Sequence, residues 1–325
     1  MDAHRIRSAD VDLSLERIEE AARSISPVFL GTPQYLDEQL GAALGRPVVV
    51  KVETANPLRS FKGRGTDFAV RALDSGVHAV TASSGNFGQG VAYAGRARGI
   101  PVTVFTPTGI NPSKLDRMRS LGATVIERGA DTGDAKQAAR AFVAERSDRV
   151  FVEDGSDPRI AEGAGSIAVE LLAHFRPDTI VVPLGDGALI TGIARWAKEI
   201  APDTRIVGVC ATGAPSLLHS FQAARPVPTD RIDTIAEGIA IKAPVPESVS
   251  RVLALVDDIV LVDDAELIDA MRLALSVLGL VLEPAGAAGL AAIRRYDIPG
   301  DLLATVLTGS NVRADLLPTL IGETR

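Results

Sequence analysis

The chain breaks into short apolar, β-branched runs separated by amphipathic stretches. The runs that predict strands are 47–53, 78–82, 101–106, 123–127, 149–153, 179–183, 205–210, 259–262 and 302–308. Helical patterns lie between most of them. Over 265–280, Leu267, Met271, Leu275 and Leu278 recur at helical spacing, and Asp263 or Asp264 is placed to cap that helix. Strand–helix alternation on this scale predicts parallel sheets with helices on both faces. In such folds ligands bind at the carboxyl ends of strands, often between domains. The stretch nearest to a membrane span, 273–293, is interrupted by Glu283 and Pro284 and reads as two buried helices. The least regular stretch is 225–247, rich in Pro and charge. The α/β pattern resumes after it, so it reads as an excursion within a domain rather than a boundary.

A length of 325 residues fits one large or two intimate α/β domains. Aromatic residues make up only 4%, while Gly reaches 30, which favours close helix–sheet packing. A net charge of −7 argues against a nucleic-acid surface. Cys210 is the one cysteine, so no internal disulfide forms, and a reducing, cytoplasmic compartment is expected. The histidines are scattered (His4, His78, His174 and His219) and give no metal-ligand spacing. The first twenty residues are charged throughout and lack the apolar core of a signal peptide. No membrane partner is expected.

Four segments carry candidate chemistry. In NPLRSFKGRGT (56–66), Lys62 follows Phe61 and opens a helix after a strand, among small residues. A lysine that forms a Schiff base needs such an open backbone and neighbours that depress its pKa; the bland alternative is a solvated surface lysine. In ASSGNFGQG (82–90), a strand ends in small residues whose free N–H groups suit a carboxylate. The alternative is that Ser84 or Asn86 merely caps the helix. VVPLGDGALITG (181–192) runs a buried strand into glycines and then a helix, a cradle for one phosphate. It lacks the third glycine of a dinucleotide fingerprint, because Ile190 stands there. A structural glycine turn is its alternative. LTGSN (307–311) ends the last strand and by itself is a polar turn.

Taken in this order, the segments resemble fold-type II pyridoxal-phosphate enzymes, within the threonine/serine dehydratase and serine racemase group. TIAEGIAIKAPVPES (234–248) and EPAGAAGLAA (283–292) extend the resemblance over nearly the whole chain. It implies an α/β, tryptophan synthase β-like fold of two three-layer α/β/α domains with mostly parallel sheets. Residues 1–71 plus 151–325 would form the large cofactor-binding domain, and 72–150 a small, inserted, mobile one. It further implies pyridoxal 5'-phosphate held by Lys62, which then shuttles the α-proton. Cofactor contacts would come from Phe61, Asn86, Gly185, Asp186, Gly187, Ala188, Leu189, Glu283 and Thr308, with Thr308 at the pyridine nitrogen. Ser83, Ser84, Gly85 and Asn86 would hold the substrate carboxylate. The implied reaction is α,β-elimination of a small hydroxy-amino acid such as threonine or serine to a 2-oxo acid and ammonia, by a homodimer.

The pattern departs from the family at several positions. GDGAL replaces a run of four glycines, and Asp186 beside a phosphate is tolerable only if its side chain points away. Phe87 stands where a histidine is common. Near Gly155 the usual ring-oxygen Asn or Asp is missing, leaving Asp154 or Ser156 as substitutes. Cys210 stands where metal-activated members carry a glutamate, so no metal is expected. The chain stops soon after LTGSN, so no appended regulatory domain is expected. Ser84 matches racemases rather than dehydratases, and a serine on the second face of the carbanion would allow racemisation as a side activity. A racemase, a β-replacement synthase and a non-catalytic ligand sensor remain the alternatives.

Overall fold

A computed structural model of the chain describes residues 11–110 and 112–322. The charged first ten residues, His4 among them, lie outside the described residues. The strands are β1 (Gln34–Leu36), β2 (Val48–Val52), β3 (His78–Ala82), β4 (Val102–Thr106), β5 (Thr124–Glu127), β6 (Arg149–Phe151), β7 (Thr179–Pro183), β8 (Arg205–Ala211), β9 (Asp258–Val262) and β10 (Leu303–Leu307). The helices are α1 (Leu15–Ser24), α2 (Glu38–Leu44), α3 (Lys62–Arg71), α4 (Asn86–Arg98), α5 (Pro112–Ser120), α6 (Thr132–Ala144), α7 (Pro158–His174), α8 (Ala188–Ile200), α9 (Ser216–Ala223), α10 (Pro246–Leu255), α11 (Asp264–Leu273), α12 (Pro284–Arg295) and α13 (Leu317–Ile321).

Two sheets form. One has six strands in the order β1-β2-β10-β7-β8-β9, the other four in the order β5-β4-β3-β6. All pairings are parallel except β1 with β2. Alternation along the strands decides what each face of the larger sheet buries. Val48, Val50 and Val52 join Val181, Leu303 and Leu307 in a core with α11 and α12. Val49, Ile180, Val182, Ala304 and Val306 point the other way, into a core with α7 and α8. Each fully buried Val or Ile contributes about 1.5–3 kcal/mol, so both helix layers are needed to hold the sheet. Gly65 lets α3 lie against α7, because a Cβ there would meet Ile160 O at 2.5 Å.

Asp263 caps α11, with Glu266 completing a reciprocal capping box. The structure corrects the two-helix reading of 273–293. α11 ends at Leu273 and passes into a π-helical turn, Ala274–Leu278, closed by Gly279 at φ 66°. This turn is largely half-exposed, and the buried helix is α12. Among the described residues no helix is long and apolar enough to cross a membrane.

Candidate active site

The chemistry-bearing segments meet where both sheets present their carboxyl ends. Phe61, Lys62, Ser83, Ser84, Gly85, Asn86, Gly185, Asp186, Gly187, Ala188, Leu189, Glu283 and Thr308 all line one cavity of about 1260 Å³.

Local hydrogen bonding fixes the lysine. Asn56 Oδ1 accepts from Leu58 N at 2.9 Å and Ser60 N at 3.4 Å, while Asn56 Nδ2 donates to Glu53 O at 2.8 Å. This Asx-type turn carries the chain from β2 to α3. Phe61 N donates to Thr308 O at 3.0 Å, tying the turn to the end of β10. Lys62 opens α3 with a side chain 13% exposed, and its Nζ pairs with Asp154. The rings of Phe61 and Phe87 lie 4.9 and 5.6 Å from that nitrogen.

The electrostatics reverse one expectation. Burial works against the Lys62 ammonium, but Asp154, Asp186 and Glu283 outweigh it and hold the amine above the ordinary lysine range. The neighbours therefore raise its pKa rather than depress it. Asp186 does not point away from the cavity either. Its carboxyl lies near Lys62 and Asp154, and burial, then the Asp154 charge, push it up to about 6. Of the two proposed substitutes near Gly155, Asp154 faces Lys62, whereas Ser156 Oγ donates to Glu153 Oε2 at 3.0 Å.

Two helix N-termini open on the cavity. Gly85 precedes α4, and no side chain caps the first turn. Ser83 Oγ instead accepts from Gly85 N at 3.2 Å, so neither Ser84 nor Asn86 is a cap. Gly187 precedes α8 at φ 94°, again with no side-chain cap. Ser248 Oγ donates to Asp186 O and steadies that loop. Such uncapped turns suit anions.

Thr308 is buried at 4% exposure beyond the end of β10. Asn86 Nδ2 donates to Glu283 Oε1 at 2.8 Å and Asn86 Oδ1 accepts from Asn311 Nδ2 at 2.8 Å. Burial pushes the Glu283 carboxyl up to about 7 despite the Asn86 amide and the Asn311 N–H, which donates to Glu283 Oε2 at 3.2 Å. Asn311 was not singled out in the sequence, because the polar turn after a last strand does not show which of its residues points inward.

A second ion cluster lies behind Lys62 and has no sequence signature. Arg64, fully buried, donates to both oxygens of Glu53 at 2.8 Å and to Glu170 at 2.8 and 2.9 Å. Lys51 Nζ reaches Glu170 at 2.5 Å and Thr32 O at 2.8 Å. Its members come from positions 32 to 170, so only the fold assembles them.

Cys210 is buried on β8, with Sγ 3.6 Å from Leu184 O, and burial pushes its thiol up to about 12. A neutral thiol is a poor cation ligand. No group of three His, Cys, Asp or Glu suited to a metal occurs among the described residues.

A buried lysine that shares one cavity with two uncapped helix N-termini leads to the class. The family model of pyridoxal-phosphate dependent enzymes matches residues 25–309, and the chain belongs to this family. It is 33% identical over 319 residues to the L-threonine ammonia-lyase of Thermotoga maritima, covering 96% of this chain and 79% of that one. The L-threonine ammonia-lyase of Geobacter sulfurreducens is 36% identical over 288 residues, 86% of this chain and 70% of that one. Maize serine racemase superposes with a TM-score of 0.88 at 29% identity, covering 94% and 95% of the two chains. The fold is thus α/β of fold-type II, with mostly parallel sheets.

The residues present fit the cofactor. Gly187 holds a left-handed turn at the α8 N-terminus, Lys62 Nζ supplies an amine, and Thr308 supplies a buried hydroxyl on the cavity wall.

Proposed function

We propose that this protein catalyses α,β-elimination on a small hydroxy-amino acid such as threonine or serine, releasing a 2-oxo acid and ammonia. The observation that carries this reading is the placement of Lys62 Nζ in one cavity with the uncapped N-termini of α4 and α8. Two anion sites flanking one amine suit a substrate carboxylate on one side and a cofactor phosphate on the other. The two ammonia-lyase relatives support the reaction class.

Bound pyridoxal phosphate supplies the electron sink. Lys62 holds it and moves the proton at the substrate Cα. Ser83, Ser84, Gly85 and Asn86 orient the carboxylate, and the N–H groups of 185–189 bind the phosphate. Phe61 and Glu283, which line the cavity, would contact the cofactor. Thr308 would offer the ring nitrogen a hydroxyl, which unlike a carboxylate holds no proton there and so would favour loss of the β-hydroxyl over storage of charge. The stretch 72–150 is read as the mobile small domain, and the enzyme as a cytoplasmic homodimer. Cys210, a free buried thiol, supports a reducing compartment.

An amino-acid panel scored for oxo acid and ammonia, with and without added sulfide, tests this. Threonine or serine should release both, and sulfide should not divert the product into β-replacement. A pyridoxal-loaded protein that releases oxo acid from no hydroxy-amino acid would sink the reading and favour a sensor.

One observation favours a racemising side activity. The Ser84 hydroxyl lines the cavity and makes no side-chain hydrogen bond among the described residues. During turnover of serine in deuterated water, some deuterated opposite enantiomer should accumulate, and Ser84→Ala should lose it while keeping elimination. Equal yields from both proteins would remove Ser84 from that role.

A further inference from the structure

Eight Lys and Arg side chains line the cavity, and they do not behave alike. Lys62, Lys114, Lys136, Arg140, Lys242 and Arg313 each have a carboxylate within 4 Å. Arg59 and Arg117 have none among the described residues. They are also neighbours: Arg117 Nη2 donates to Pro57 O at 3.1 Å, two residues from Arg59. Burial, and after it the charge of Arg59, lower the pKa of Arg117. Arg59 is exposed and Arg117 half-buried, so water screens part of their repulsion, and an anion between them would remove more of it.

The two residues come from different elements. Arg117 belongs to α5, which packs with the four-stranded sheet, and Arg59 belongs to the turn that leads into α3. Arg59 is set rigidly. Its N–H donates to Asn56 O at 2.9 Å, its carbonyl accepts from Ser310 N at 3.0 Å, and Ser60 bridges to Gly309. This fastens it to the same segment that presents Thr308. Arg59 also has φ 53°, a left-handed backbone that glycine adopts freely and arginine does not. An arginine with a left-handed backbone and a second one near it, both on the cavity wall and both without a carboxylate partner among the described residues, are the observations that point to a ligand.

We propose that Arg59 and Arg117 grip a second anionic group, a carboxylate or phosphate, carried at the far end of the amino-acid substrate. This rests on the elimination reading and narrows its substrate class to hydroxy-amino acids with an acidic tail. Guanidinium pairs recognise such groups through charge-assisted, bidentate hydrogen bonds. The cavity, at about 1260 Å³, leaves room for the longer substrate beside the cofactor.

The test compares β-hydroxyaspartate with serine on the cofactor-loaded protein. Oxo-acid release is measured alongside binding, read as perturbation of the visible cofactor band. Wild type should favour the diacid in kcat/KM by tenfold to about a hundredfold, the range expected of charged hydrogen bonds. Arg117→Ala and Arg59→Gly should each erode that preference by about tenfold or more. Arg59→Gly should at the same time raise Tm by about 1–3 °C, because it relieves the strain. A merely structural arginine would not trade stability for diacid preference in this way. Equal handling of the diacid and serine by wild type, or an unchanged preference in both variants, overturns the proposal and leaves elimination standing. Turnover of neither substrate counts against elimination, and the binding preference then still decides the arginine pair. Inorganic phosphate or malonate that binds at the pair without competing with the amino acid would make it a site for a free anion, which also overturns the proposal.

Discussion

Lys62 and Arg64 are two residues apart on one helix and sit in opposite chemical worlds. Arg64 lies in a cluster where two cations meet two carboxylates, and each of its three nitrogens has an acceptor. Lys62 is one cation facing Asp154, Asp186 and Glu283. There Asp154 Oδ1 is buried with no hydrogen-bond partner among the described residues. The first cluster is saturated, and a saturated buried network fixes geometry. The second has surplus negative charge and an open acceptor beside an amine, the condition of a site that waits for a ligand. The rigid side holds α3 so that the reactive side can be precise.

Four substitutions or conditions separate the two faces. The largest effect is expected from Lys62→Ala, which should lower turnover by about 10²–10⁴-fold or more. It should also remove the visible band at about 410–420 nm that such a lysine adduct gives, with the circular dichroism of a folded protein. A variant that keeps band and activity would move the chemistry to another lysine. Arg64→Met should instead cost about 3–5 kcal/mol in urea unfolding, because it strands Glu53 in the core, while Glu170 keeps Lys51. A loss below about 1 kcal/mol would mean the cluster is not the scaffold we take it to be.

The faces should also respond to pH with opposite sign. In the saturated cluster the Glu170 carboxyl, after burial is offset by Arg64 and Lys51, is held down at about 2 against an ordinary 4.5. Its folded pKa lies below the unfolded one, so its contribution is present above pH 4.5 and is lost as pH falls towards 2. The amount is roughly 3 kcal/mol, and Glu170→Gln should flatten the acid limb of a stability profile. On the cavity side Glu283 is held up at about 7, so ionising it works against folding as pH rises from 4.5 to 7. Glu283→Gln should therefore stabilise the cofactor-free protein by about 1–2 kcal/mol at pH 8, allowing for its partial exposure. The gain should vanish below pH 4.5. A gain that persists in acid would have another cause.

The comparison also shows which features a sequence can carry. The runs predicted as strands map onto β2 to β10 within a few residues at each end. β1 escaped because it is three residues long, antiparallel and on the sheet edge, too short to show a period. The cavity residues were legible because each segment is a local turn ending a strand or opening a helix, and turn chemistry is written in adjacent residues. The Arg64 cluster was not, since Glu53, Arg64 and Glu170 meet only after α3 packs on α7. Nor was the raised Lys62 pKa. The sequence offers Asp154 for the ring oxygen, and its approach to the lysine depends on how the turn after β6 closes against the glycine loop. Asp186 failed for a similar reason: a residue in a glycine-rich loop has a readable backbone but not a readable side-chain direction.

The most direct test of the account is the chemical identity of the cofactor lysine. Protein loaded with pyridoxal phosphate should be reduced with borohydride, digested and read by mass spectrometry. The account predicts a single phosphopyridoxyl group on the peptide that contains Lys62, and none on Lys51 or Lys114. Label on one of those lysines, with Lys62 unmodified, would contradict it.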